Sequence, residues 1–249
     1  MVNFQDLDDI DVIIIEGDGK IDDDAGYGTP IMRRLESHGI SSNIVPLKEN
    51  IEKLNQIPPK PLFISGGMTE VTSDKPWMKR ARQWCKGLIE GNKDQPGEKQ
   101  VPLLGICFGA QLIAEAFEPG SVHYLDTPEI GSSTITLDIA DHWLFESISS
   151  PFDAFAFHYN QIKNRNVVPI STHKIEQNEF LQAFEIPGVP CFGVQFHPEF
   201  RFSEMERLFL YYEDLIKDLG FNSSNIIQDL PRTIDNSIIL KNFYSRCKG

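Results

Sequence analysis

The sequence predicts an α/β fold: a mostly parallel central sheet with helices on both faces, plus a smaller antiparallel, strand-rich portion. Two patterns predict it. Through the first half of the chain, short apolar runs alternate with stretches of helical periodicity, the mark of βαβ units whose strands pair in parallel. From Val122 onward the helical stretches give way to close-set short strands. At 249 residues, 41% of them hydrophobic, the chain can bury a sizeable core, and α/β folds of this size commonly form one unit. We therefore expect a single domain over 1–249, with 221–249 a C-terminal extension packed on it.

The elements follow in order. Val12 to Ile15 is an apolar first strand. Thr29 is placed to cap a helix with Pro30 at its first position, running through His38 and stopping at Gly39. Ser42 to Pro46 and Pro61 to Ser65 read as strands, and Pro76 opens a helix through Leu88. Trp77, Ala81, Trp84, Cys85 and Leu88 recur on it at helical spacing, which reads as core. Glu90 to Gln100 is polar with Gly and Pro, hence a loop. After the strand and helix around Cys107, six strands are expected: Val122 to Tyr124, Ser133 to Leu137, Ala154 to Phe157, Val167 to Ser171, Phe180 to Glu185 and Cys191 to Phe196. Ser203, with Glu206 three residues on, forms a capping-box pattern for a helix through Leu219. Phe221 to Thr233 reads as a polar linker, and Ile234 to Cys247 as a last helix.

Within this frame one turn carries chemistry. Gly105-Ile106-Cys107-Phe108-Gly109-Ala110-Gln111 joins the apolar run Val101 to Leu104 directly to a helical pattern. A strand that turns at once into a helix needs small residues beside the nucleophile, because the backbone there is tight. The turn pushes the sulfur outward, and the helix behind it aims free N–H groups and its positive dipole end at the sulfur, favouring thiolate. A nucleophile needs a base, and Phe196-His197-Pro198-Glu199 supplies one at the end of an alternating apolar run. Pro198 cannot continue a ladder, so the chain turns there, and Glu199 can fold back on one imidazole nitrogen while the other faces the thiol. The strand Pro61 to Ser65 ends in Gly66-Gly67. The N–H of Gly67, with that of Phe108, is suited to form an oxyanion hole.

Each motif alone has a plainer reading. Gly-x-Cys-x-Gly can be a tight turn around an inert buried Cys, and a His beside a proline turn is often structural; the combination in its expected context is what favours catalysis. His197-x-Glu199 lacks the Pro-Cys-x-x-Cys that a zinc deaminase needs, and Ser65-Gly66-Gly67 lacks the Asp-Ser of a pyrophosphatase phosphate loop. His158 reads equally as a pocket residue or a hydrogen-bonded structural one.

These segments, in this order, resemble the class I (triad) glutamine amidotransferases, and within them the free-standing GMP synthase-like amidotransferase domains. The finer likeness rests on Glu129-Ile130-Gly131, Phe157-His158-Tyr159-Asn160, Gln182-Ala183-Phe184 and the ending Ile239-Leu240-Lys241-Asn242-Phe243. The resemblance implies a flavodoxin-like fold of that family and a glutaminase half-reaction. It also implies roles: Cys107 as nucleophile, His197 as base, Glu199 as its orienting acid, Gly67 in the oxyanion hole and Gln111 as a substrate contact. Backbone near Tyr159 and Asn160 would cradle the substrate. Relatives often carry His-Gly-Asp where this chain has His158-Tyr159-Asn160, and His where it has Ala110.

The expected reaction is hydrolysis of the γ-carboxamide of glutamine through a γ-glutamyl thioester, with no metal or organic cofactor required. The expected ligands are glutamine or a γ-glutamyl small molecule, and the candidate partner is a separate ammonia-consuming synthase subunit. Two alternatives stand beside this reading: a stand-alone γ-glutamyl peptidase or hydrolase acting on γ-glutamyl amines or conjugates, and a non-hydrolytic regulatory glutamine-binding protein. An esterase-like Cys-elbow hydrolase fits the His-Pro-Glu order and Gln111 less well.

Composition narrows the partners. A net charge of −13 argues against nucleic-acid backbones and anionic membranes. Asp22-Asp23-Asp24 reads as solvated loop, since no EF-hand spacing follows. Cys85, Cys107, Cys191 and Cys247 show no pairing or metal spacing. No apolar run approaches a membrane span and the acidic start Met1-Val2-Asn3-Phe4-Gln5-Asp6 is unlike a secretory signal, so a cytoplasmic location is expected.

Overall fold

The computed structural model describes residues 4–175 and 178–248. The elements run β1 (Val12–Glu16), α1 (Gly28–Ser37), β2 (Ser42–Pro46), α2 (Leu47–Asn50), β3 (Leu62–Ile64), α3 (Pro76–Lys93), β4 (Leu103–Ile106) and α4 (Phe108–Phe117). Then come β5 (Val122–Ile135), β6 (Phe152–Ile162), β7 (Val168–Ile175), β8 (Asn178–Glu185), β9 (Cys191–Val194), α5 (Phe202–Tyr211), α6 (Glu213–Asp218), α7 (Ser223–Asp229) and α8 (Ile238–Cys247). Among the described residues nine strands form one sheet in the order β2-β1-β3-β4-β9-β8-β6-β5, with β7 paired to β8 off this path. From β2 to β9 the pairing is parallel, and from β9 onward it is antiparallel.

Alternation along the parallel strands divides the core. Ile13, Ile15, Leu62, Ile64 and Leu103 pack with residues of α3 and α4. Val12, Ile14, Phe63, Leu104 and Ile106 face the other way, onto Ile31 and Leu35 of α1 and Ile239, Leu240 and Phe243 of α8. Successive side chains of a strand point to opposite faces, so a strand covered on both sides is apolar throughout. Each fully buried aliphatic or aromatic side chain contributes about 1.5–3 kcal/mol. Phe63 and Phe243 meet edge to face with ring centroids 5.0 Å apart, a favoured aromatic geometry that fixes α8 against the sheet.

Several boundaries differ from the sequence expectation, because side chains other than the expected caps take up the helix-end groups. Helix α1 starts at Gly28 rather than being capped by Thr29, and the Gly28 N–H donates to Glu16 Oε1 at 2.9 Å. Helix α3 runs on to Lys93, because Asn92 is buried and bonds both the N–H and the carbonyl of Val101 (2.7 and 2.8 Å). That shortens the expected loop, which holds a 3-10 turn over Gly97–Lys99. The buried face of α3 is Met78, Ala81, Cys85 and Ile89, with Trp77, Trp84 and Leu88 flanking it. Helix α5 is capped by Glu204, whose Oε2 accepts the Arg201 N–H at 2.9 Å, and not by a Ser203 and Glu206 box. It breaks at Tyr212 before α6.

The supposed linker holds α7, whose Asn222 side chain accepts the Asn225 N–H at 2.9 Å. Helix α8 begins only at Ile238, after Asp235 Oδ1 accepts both the N–H and the hydroxyl of Ser237. Strand β5 is continuous from Val122 to Ile135 with a register shift between Tyr124 and Glu129, and β6 extends through His158, Tyr159 and Asn160. Strand β9 stops at Val194 instead of Phe196. No helix among the described residues is long and apolar enough to cross a membrane.

Candidate active site

Three loops leave the carboxyl ends of the adjacent strands β3, β4 and β9. Ligands in open parallel sheets bind at this edge. The sharpest loop follows β4, where Cys107 has φ 51° and ψ −104°, a left-handed backbone that a side-chain-bearing residue adopts only under strain. The surroundings hold it there. The Cys107 N–H donates to Val194 O of β9 at 2.8 Å, and the Gly109 N–H to Ser65 O beyond β3 at 3.1 Å. A Cβ on Gly109 would collide with the Ile64 carbonyl, and one on Gly105 with the Gly109 backbone. Both glycines of the motif are thus needed for close backbone approach. The sulfur lies 3.9 Å from the Phe157 carbonyl, and Cys107 lines a cleft together with Gly67, Gln111 and His158.

Behind Cys107 stands the imidazole of His197, brought in by a lone bridge between His197 and Phe155, with the His197 N–H on Phe155 O at 2.8 Å. Its Nδ1 is 2.7 Å from Glu199 Oε1, and both residues are buried. The Phe200 ring stacks on the imidazole with centroids 4.7 Å apart. On the far side Gly66 leaves room, since a Cβ there would lie 2.6 Å from Tyr27 and 3.0 Å from His197 Cε1. Burial alone would favour the neutral ring, but the Glu199 carboxylate and the Cys107 sulfur outweigh it and push the His197 pKa up to about 10. Nε2 thus sits within the electrostatic reach of the sulfur, with no partner at ordinary hydrogen-bond distance.

The Gly66-Gly67 turn is braced against β1. The Gly17 N–H donates to Ser65 Oγ, and the Met68 N–H to Asp18 O, each at 3.0 Å. Asp18 also takes the N–H and hydroxyl of Thr69. Gly67 lines the cleft, and its N–H finds no acceptor among the described residues. Phe108, as first residue of α4, has an N–H with no acceptor in its own helix.

Gln111, Tyr159 and Asn160 also line the cleft. Gln111 donates from Nε2 to Gln195 Oε1 at 3.1 Å. Tyr159 donates its hydroxyl to Met68 O at 3.2 Å, and burial, then the Glu70 charge, push its pKa up to about 12. The residues singled out from the sequence therefore gather at one strand edge.

The sequence reading did not assign what surrounds them. His158 lines the cleft, and its Nδ1 meets Asn160 O at 2.8 Å. Its Nε2 is 2.9 Å from Glu129 Oε2, an ion-pair distance although out of line for a hydrogen bond. Glu129 also meets His173 Nδ1 at 3.3 Å and accepts from Gln182 Nε2 at 2.8 Å. Burial would raise the Glu129 carboxyl, yet His158 and His173 hold it below the ordinary range. Glu129 and Gln182 stand out in the sequence as family likeness without a role, and His158 as either a pocket residue or a structural one; the Glu129↔His158 register of β5 and β6 joins them.

A thiol on a strained strand-to-helix turn, at the carboxyl edge of a parallel sheet and beside a buried His–Glu pair, marks an α/β enzyme of the thiol-elbow kind. Residues 21–214 match the family glutamine amidotransferase class-I, and the chain belongs to that family. It is 30% identical over 201 residues to a subunit of the glutamine-hydrolyzing GMP synthase of Methanopyrus kandleri, covering 80% of this chain and 95% of that one. It is 27% identical over 216 residues to the glutamine-hydrolyzing GMP synthase of Lactobacillus acidophilus, covering 87% of this chain but spanning only 37% of that protein's length. A crystal structure of a glutamine amidotransferase from Thermotoga maritima superposes with a TM-score of 0.73 at 19% identity, covering 95% of this chain and 96% of that one, which supports the fold.

Proposed function

We propose that the protein hydrolyses the γ-carboxamide of glutamine and releases ammonia, with Cys107, His197 and Glu199 as the catalytic triad. The observation that carries this reading is Cys107 itself: a strained, cleft-lining cysteine beside a buried imidazole whose Nδ1 lies 2.7 Å from Glu199 Oε1, an arrangement suited to a thiolate–imidazolium pair. The thiolate attacks the side-chain carbonyl carbon, and the N–H groups of Gly67 and Phe108 receive the oxyanion. The imidazolium gives its proton to the departing nitrogen as the C–N bond breaks, leaving a γ-glutamyl thioester and ammonia. His197 then takes a proton from water, the hydroxide cleaves the thioester, and glutamate leaves with the thiolate restored. Gln111 and the strand at Tyr159 and Asn160 hold the substrate.

The ammonia passes to a separate synthase subunit. That part of the proposal is supported by similarity to proteins named as one subunit of a glutamine-hydrolyzing GMP synthase. Purified Cys107→Ala should release no ammonia from glutamine under conditions where the unmodified chain does. Equal release from both would overturn the assignment. A panel of γ-glutamyl amines and peptides, assayed without a partner, separates this reading from the γ-glutamyl hydrolase one: fast turnover of a conjugate alongside slow turnover of glutamine would favour the latter.

A further inference from the structure

One carboxylate stands at the rim of the cleft. Glu70, three residues past Gly67, lines the same cavity as Cys107, and no lysine or arginine lines it with them. Its Oε2 accepts a 2.6 Å hydrogen bond from the Tyr124 hydroxyl, while Oε1 has no bond among the described residues. Tyr124 is 63% exposed, and its ring stacks on Tyr159 with centroids 6.5 Å apart. Tyr159 in turn holds Met68 through its hydroxyl. Two tyrosines of the β5–β6 ribbon thus clasp Met68 and Glu70, just beyond the Gly-Gly turn. The other carboxylates nearby are engaged, Asp18 by Thr69, Glu129 by His158 and His173, and Glu199 by His197. The Lys75 ammonium comes to the neighbouring Thr69, with Nζ 3.3 Å from Thr69 Oγ1, and makes no ion pair with Glu70 among the described residues.

We propose that Glu70, oriented by Tyr124, is a specificity-determining residue that pairs with the α-ammonium group of the substrate; this rests on the reading that Cys107 attacks a γ-glutamyl carbonyl. A substrate anchored by that carbonyl at the elbow runs its carbon chain toward the rim. There its ammonium loses water and needs an anion. Glu70 is the carboxylate with a free oxygen on that path, fixed in orientation before the substrate arrives. The stacked faces of Tyr124 and Tyr159 add a favourable surface for a cation. The site therefore takes γ-glutamyl compounds with a free α-amino group and discriminates against those in which it is acylated or missing.

The test uses covalent labelling of Cys107, which needs no synthase partner. A diazo-ketone analogue of glutamine and its counterpart lacking the α-amino group are each reacted with the protein, and the labelled peptide is followed by mass. The unmodified chain should label with the amino-bearing reagent about ten- to a hundredfold faster, the worth of one charge-assisted hydrogen bond. In Glu70→Gln that preference should collapse toward unity through slower reaction with the amino-bearing reagent alone, and Tyr124→Phe should lose part of it. A preference unchanged in Glu70→Gln, or an equal slowing with both reagents, overturns the role of Glu70 and leaves the site standing. Labelling that falls on another cysteine, or none at all, overturns the site and this proposal together.

Discussion

Arg34 donates from Nε to the backbone carbonyl of Glu199 at 3.0 Å, which ties helix α1 to the acid of the proposed triad. The same guanidinium reaches Glu204 Oε2 at 2.6 Å, and that carboxylate caps α5 through the Arg201 N–H. All of this is buried: Arg34 is 8% exposed and Glu204 3%. The loop carrying His197 and Glu199 is thereby held between two helices by one fork of donors, a geometry that suits Arg and not Lys.

Arg34→Leu should therefore destabilise the protein by about 2–3 kcal/mol, because it takes the buried partner from Glu204 Oε2 and leaves the half-exposed Arg33, 3.4 Å from Oε1, as the cation beside that carboxylate. Arg34→Lys keeps the charge but cannot serve both acceptors. Its ammonia release should fall about tenfold, through kcat rather than KM, as Glu199 loses its fixed position. Steady-state kinetics with a denaturant titration checks both.

Glu199→Gln removes the charge that holds the imidazolium. Turnover should drop by about 10²–10⁴, as for other triad acids. The alkaline limb of the kcat/KM profile, set near pH 10 by His197, should move toward its ordinary value of 6.5. Because the folded pKa is raised, the stability His197 contributes is complete below pH 6.5 and fades as pH rises to about 10. A pH–rate profile whose alkaline limb is the same in both proteins would contradict this account of the site.

Gly109→Ala puts a methyl group onto the Ile64 carbonyl, a backbone atom that cannot swing away. It should cost about 1–3 kcal/mol and misplace the elbow. Gly87→Ala, on the exposed side of α3 with open space around it, should instead stabilise by about 0.5–1 kcal/mol and leave turnover unchanged. Thermal denaturation of the pair against the unmodified chain measures the contrast.

Glu129→Gln takes the carboxylate away from His158, His173 and Gln182 and should cost about 1–3 kcal/mol. The Glu129 carboxyl is held below its ordinary value of 4.5 in the folded state, so its contribution is present above that pH and is lost as pH falls through the folded value. The stability gap between variant and unmodified chain should accordingly close as pH falls below about 4. A gap that stays constant into acid would show that the carboxylate charge is not what the two histidines hold.

What could be read from the chain alone was written in contiguous residues. The elbow is legible because strand, nucleophile, glycines and helix start lie within one short run, and steric constraints there act between near neighbours. Gly66-Gly67 and His197-Pro198-Glu199 are legible for the same reason, and the strand–helix alternation predicts the parallel half of the sheet. The misplaced helix starts at Thr29 and Ser203 share a different cause: local cap patterns were present, but the carboxylates of Glu16 and Glu204 satisfy the free N–H groups instead. Helix α7 was hidden in a polar stretch whose apolar Ile226 finds its partner only across the fold, over Gly131.

The sequence by itself determined the fold class, the family resemblance and the candidate nucleophile, base and acid, since each depends on backbone preferences and spacing that neighbouring residues enforce. Only the tertiary structure decided which charges surround them. Glu129 beside His158, Arg34 under Glu199 and Tyr124 on Glu70 join residues far apart along the chain, by 165 positions in the case of Arg34 and Glu199. Electrostatic energy depends on distance through space and on burial, and strand register and helix packing set both only once the chain has folded.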